Sequence, residues 1–99
     1  MKESFGANHF SACIGQTFTI RVSEVDEVPL ELISVTEYGA PFAPGARQPF
    51  ALLFLGPESN RYLSQGTYAF AHHLLGSFDL FIVPLGAPAR RMRYEAIFS

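Results

Sequence analysis

The chain has 99 residues, 48% hydrophobic and 16% charged, and a formal net charge of -2. A chain this long folds as one domain spanning residues 1–99, burying roughly 65% of its unfolded surface, and its apolar content offsets the entropy of ordering. Those values exclude a second domain and intrinsic disorder. They also speak against phosphate binding, because the seven basic residues are scattered apart from Arg90, Arg91 and Arg93, which read as the solvated start of a strand.

Asn8 to Ile14 has the pattern of a short helix, with Asn8 as N-cap, Phe10, Cys13 and Ile14 on one face, and Gly15 closing it. Strict alternation from Thr17 to Ser23 puts Phe18, Ile20 and Val22 on one side of a strand. After an acidic turn through Glu24, Asp26 and Glu27, a second strand opens at Pro29 and runs to Thr36. Its apolar side switches between Leu32 and Ile33, which predicts a bulge or a bend. Tyr38 to Pro49, with three prolines and two glycines, is the longest loop.

Phe50 to Leu55 is apolar on both sides and must be covered from both. Gly56-Pro57 is expected to end that strand. A fourth strand runs from Gly66 to His72, Leu75-Gly76 marks a reversal, and a fifth runs from Ser77 to Pro84 with Phe81 and Val83 opposite Phe78, Leu80 and Ile82. Arg91 to Phe98 closes the chain with Met92, Tyr94, Ala96 and Phe98 on one side. The connections are too short for crossovers, so the strands pair antiparallel. The expected fold is all-β: a small closed or strongly curled antiparallel barrel or roll of about six strands with one short N-terminal helix.

Several blocks together are similar to a bacterial family of roughly hundred-residue all-β domains of unknown function: Phe-Ala-Leu-Leu-Phe-Leu-Gly-Pro at 50–57, Leu-Ser-Gln-Gly-Thr-Tyr at 63–68, His73-Leu-Leu-Gly76, Leu-Phe-Ile-Val-Pro at 80–84 and Tyr-Glu-Ala-Ile-Phe at 94–98. The likeness extends through residues 14–18 and 29–32. It implies no reaction, ligand or catalytic residue. It does imply one possible setting, as an accessory component of a phage-tail-like particle.

No grouping of residues announces chemistry. His72 and His73 alternate across a strand, so the two rings are not expected to share a metal, and no spacing brings His9, Asp79 or Cys13 to them. His9 and Cys13 stand four apart on the helix, but no orienting group or oxyanion hole accompanies them, and the lone cysteine reads as a small buried hydrophobe. The carboxylates lie in turns or on solvated faces, and a pair such as Arg93 and Glu95 on one face of the last strand is worth about 0–1 kcal/mol. Gln65, Thr67 and Tyr68, with His72 and His73, could line a pocket rim, and a turn satisfying its own backbone explains the first three equally well.

Fourteen aromatics, ten of them phenylalanine, are more than one small core easily hides. The preferred reading is therefore a non-catalytic interaction domain that self-associates or docks on a partner protein through Phe50, Leu53, Leu55, Phe81 and Val83. A small-ligand barrel or weak enzyme using the rim is the alternative. No catalytic residue, metal, cofactor, nucleic-acid partner or membrane partner is expected. The chain lacks a signal peptide or an apolar span, which places it in the cytoplasm unless export proceeds without a cleaved signal.

Overall fold

The computed structural model describes residues 6–37, 49–59 and 62–98. A helix, α1 (Ala7–Ser11), precedes six strands: β1 (Thr17–Arg21), β2 (Glu27–Glu37), β3 (Phe50–Glu58), β4 (Gly66–His72), β5 (Gly76–Gly86) and β6 (Arg91–Phe98). They form a closed antiparallel barrel in the order β1-β2-β3-β6-β5-β4. The closing seam is β1 against β4, where Thr19, Ile20 and Arg21 face Ala71, Phe70 and Ala69. The expected fold class is thus the observed one. Among the described residues, no helix is long and apolar enough to cross a membrane.

Alternation in each strand sends one set of side chains inward, and the closed sheet is filled by large apolar groups. Phe18 and Ile20 of β1, Leu30 and Leu32 of β2, Phe50, Leu52 and Phe54 of β3, Phe70 of β4, Phe78, Leu80 and Ile82 of β5, and Tyr94, Ala96 and Phe98 of β6 are all buried. Of the described phenylalanines only Phe81 points outward. Phe10 of α1 plugs one end. Its ring centroid lies 5.4 Å from that of Phe98 and 6.0 Å from those of Phe50 and Phe78, so the helix closes the barrel mouth at the N-terminal ends of β1, β3 and β5.

The local differences from expectation have physical causes. The helix starts at Ala7 with Gly6, not the expected Asn8, as N-cap, and His9 Nδ1 accepts the Gly6 N–H at 2.9 Å. It is also shorter, so Ile14 lies outside it and is exposed, while Gly15 does take a positive φ of 90°. β1 stops at Arg21 and leaves Val22 exposed. The bulge expected in β2 is present: the register slips between Leu32 and Ser34. Neither Gly56-Pro57 nor Pro84 ends its strand; β3 runs to Glu58 and β5 to Gly86. Each proline lies at or beside a register shift, where the ladder does not need the missing donor. Pro29 lies inside β2 for a related reason, since β2 pairs with β3 only from Glu31 onward and is paired on one side there. The loop expected over Tyr38 to Pro49 lies, apart from Pro49, outside the described residues.

Phe10 has no exposed surface and touches four other rings, so Phe10→Ala should cost about 3–5 kcal/mol in a urea titration, a large share of the stability of so small a domain. A loss below about 1 kcal/mol would show that the plug is not seated.

Candidate functional site

Large apolar side chains pack the barrel interior, so the candidate surfaces are the two barrel ends and the outer wall. β6 lies between β3 and β5, and its outward residues are the alternates of buried Tyr94, Ala96 and Phe98, namely Arg93, Glu95 and Ile97. Register then builds three columns. Leu53 stands beside Glu95 and Leu55 beside Arg93 on β3; Ala51 stands beside Ile97; Val83 stands beside Glu95 on β5. The bulge at Leu85 carries that residue outward next to the pair Gly86 and Arg93. The result is an apolar face with a central column in which Arg93 and Glu95 interrupt the grease. Phe81, Leu85 and Ile97 are 51%, 46% and 59% exposed, and Leu53, Leu55 and Val83 are half-buried. A shallow groove of about 340 Å³ runs over it past Ser34, Thr36, Leu53, Leu85 and Glu95.

Four of the five proposed interface residues, Leu53, Leu55, Phe81 and Val83, are therefore brought to one outer face. Phe50 is not. It points into the barrel, fully buried, its ring stacked on Phe98 at 4.6 Å, because it shares the parity of Leu52 and Phe54. Arg93 and Glu95 form no ion pair among the described residues, and Arg93 Nε is buried without a hydrogen-bond partner. The neighbouring Arg91 is engaged, donating from Nε to the Gly56 carbonyl at 2.7 Å and lying 3.6 Å from Glu31.

The five proposed rim residues do not form one rim. Gln65, Thr67 and Tyr68 lie at the start of β4 and His72 and His73 at its other end, roughly 20 Å away at the usual rise per strand residue. Tyr68 donates to the Ser64 carbonyl at 2.9 Å, so this stretch satisfies its own backbone. His72 is buried against Phe18, with centroids 4.4 Å apart. His73 does not point across the sheet as alternation suggested: the turn that begins there returns its ring to within 4.5 Å of the His72 ring.

The hydrogen bonds of His72 fix its state. Nδ1 accepts the N–H groups of Leu74 and Leu75 at 3.1 and 3.2 Å, so Nε2 carries the proton and donates to Gln16 Oε1 at 2.6 Å. The imidazole is a neutral turn-capping group, and its pKa is lowered first by burial and then by the charge of His73. Cys13 is equally occupied with structure. Its thiol donates to the His9 carbonyl at 3.5 Å, not to the imidazole, and burial raises its pKa. Among the described residues no three potential ligands gather around a metal-sized space.

At the opposite barrel end a pocket of about 200 Å³ lies between the β1–β2 turn and Pro57, Tyr62 and Leu63, lined also by Asp26, Glu27, Val28, Met92 and Tyr94. The sequence reading missed it. Only the acidic turn marks it in the chain, and Glu27 is already paired with Arg21 at 3.0 Å. Its floor is tied down by Tyr94, whose hydroxyl accepts the Leu63 N–H at 2.9 Å, and burial raises the Tyr94 pKa. The volume is below the roughly 300–1,000 Å³ of ordinary ligand sites.

A family described as a domain of unknown function, DUF6916, matches residues 5–98. The chain belongs to this family. No curated protein and no solved structure matches the chain. The family match spans the barrel and the plugging helix together, so the domain is the unit to which a function attaches.

His72 generates a pH prediction. The folded state favours the neutral ring, whereas the unfolded chain takes up a proton near pH 6.5, so the stability His72 contributes is full above that pH and declines as pH falls through it. Thermal midpoints should drop from about pH 7.5 to about pH 5.5, and His72→Gln should flatten the profile. An unchanged slope in that variant would refute the assignment.

Proposed function

We propose that this domain is a non-catalytic protein-interaction module whose contact surface is the outer face of β3, β6 and β5. The observation that carries the reading is the run of apolar groups on three adjacent strands, Leu53, Leu55, Phe81, Val83, Leu85 and Ile97, left uncovered by any described residue. Scattered exposed hydrophobics are ordinary on a small protein, but a contiguous group rimmed by polar residues marks an association surface. Ser34, Thr36 and Thr67 supply such a rim.

Two further features favour this reading over catalysis. The thiol, the buried imidazole and the buried phenol each bond to backbone groups, and none faces another titratable side chain in a way that would activate it. The interior is packed with aromatic rings, which removes the barrel lumen as a ligand cavity. A small-ligand reading retains the pocket near Leu63 and Tyr94, whose roughly 200 Å³ suits an occupant somewhat larger than benzene.

The experiment compares protein captured by the wild-type domain with that captured by Phe81→Asp and Ile97→Asp, both outward and exposed, and by Thr19→Asp on the outer side of β1, across the barrel from β6. The expected result is a specific association lost in the first two variants and kept in the third, with far-UV circular dichroism unchanged in all. Association that survives both face variants would overturn the reading.

A further inference from the structure

We infer that the occupant of this face is a second copy of the same chain, related by a two-fold axis that lies in the plane of the face and crosses β6 at Tyr94, so that Arg93 of each copy meets the partner's Glu95. This rests on the reading of the β3–β6–β5 face as the contact surface and adds to it the identity of the partner.

The argument is the distribution of charge within the grease. The outward column of β6 carries Arg93 and Glu95 two residues apart, on the same side of the sheet and with opposite sign, and each lies between aliphatic neighbours on β3 and β5. A foreign apolar surface would have to desolvate both charges without return. A surface that presents an acid opposite Arg93 and a base opposite Glu95, at the same spacing and set in an apolar surround, is needed instead, and this face rotated upon itself is such a surface. An axis across β6 at Tyr94 places position 93 over position 95 of the partner, in both directions. It leaves the β3 columns facing each other, Leu55 over the partner's Leu53, and the β5 columns likewise, Val83 over the partner's Leu85. An axis along β6 would instead set like charges together, so only one of the two in-plane orientations is permitted.

Arg93 gives independent support. Its Nε is buried with no hydrogen-bond partner, so the guanidinium is already partly stripped of water in the isolated subunit, which lowers the further desolvation cost of docking a carboxylate on its outer nitrogens. The charges set orientation and the apolar columns supply affinity, because a desolvated ion pair gives back in attraction about what it cost in hydration. The three columns span about 14 Å by 10 Å at ordinary strand spacings, well under the roughly 800 Å² per partner of a standard stable interface, so the dimer should be weak and concentration-dependent.

The test is molar mass by light scattering and sedimentation across micromolar to submillimolar concentration, on four proteins. Wild type should be a concentration-dependent dimer. Arg93→Glu and Glu95→Arg should each be monomeric, since each sets like charges face to face twice. Mixed together, those two variants should form a one-to-one heterodimer, and the double exchange Arg93→Glu with Glu95→Arg should restore the homodimer. The restored proteins control for folding, because they carry the same substitutions. A monomeric wild type, or single reversals that leave the mass unchanged, would overturn the inference. A monomer that still captures another protein in a Phe81-dependent manner rejects the second copy while the interaction reading stands; a monomer that captures nothing rejects both.

Discussion

Closure of the sheet is the constraint on which the remaining structure depends. The seam between β1 and β4 is only three residue pairs long, yet it converts a curled sheet into a barrel and so decides that every inward side chain becomes core. A short seam holds because the enclosed rings hold it: Phe70 of β4 lies 5.3 Å from Phe54 across the interior and 5.9 Å from Phe78, and Phe18 of β1 lies 5.4 Å from Phe54. Ring pairs of this kind add to what area burial alone contributes. With Phe10 inserted at one end, packed side chains occupy the interior from that mouth inward.

That filling pushes function to the outside and also disposes of the polar groups that might have served it. His72 caps the β4–β5 turn, Tyr94 anchors residue 63 and Cys13 closes the helical turn on His9. Each is held by backbone partners, which is how buried polar groups are ordinarily satisfied. On the outer wall Arg93 Nε has no hydrogen-bond partner, in an apolar surround that also holds Glu95. The match to the family DUF6916 spans residues 5–98 and so takes in both the plugging helix and the wall.

Much of the fold was legible in the chain because alternation is a local signal. Six strands, the bulge near Ile33, the turn at Gly76 with its φ of 81° and the boundaries of β4 and β6 all follow from residues within a few positions of each other. The prolines misled at Pro57 and Pro84, since the rule that proline ends a ladder gives way where the register slips. The face was half legible. Outward Leu53, Leu55, Phe81 and Val83 could be read from two-sided apolar strands, but Phe50 was grouped with them against its own parity, which it shares with inward Leu52 and Phe54. That β6 inserts between β3 and β5 is a matter of long-range pairing, and without it Arg93, Glu95 and Ile97 could not be seen as the middle of the same surface. The split of the Gln65–His73 group between two barrel ends was hidden for the same reason: a sequence shows seven residues as near, and a strand sets them far apart.

The most direct test of a filled barrel with its working surface outside is attenuation of methyl resonances by a soluble nitroxide, followed over a dilution series. The account predicts that methyls of Ile20, Leu30 and Leu52 are shielded at every concentration, while those of Leu53, Val83, Leu85 and Ile97 are attenuated in dilute protein and become protected as concentration rises. Attenuation of the first group, or shielding of the second that persists at the lowest concentration, would contradict it.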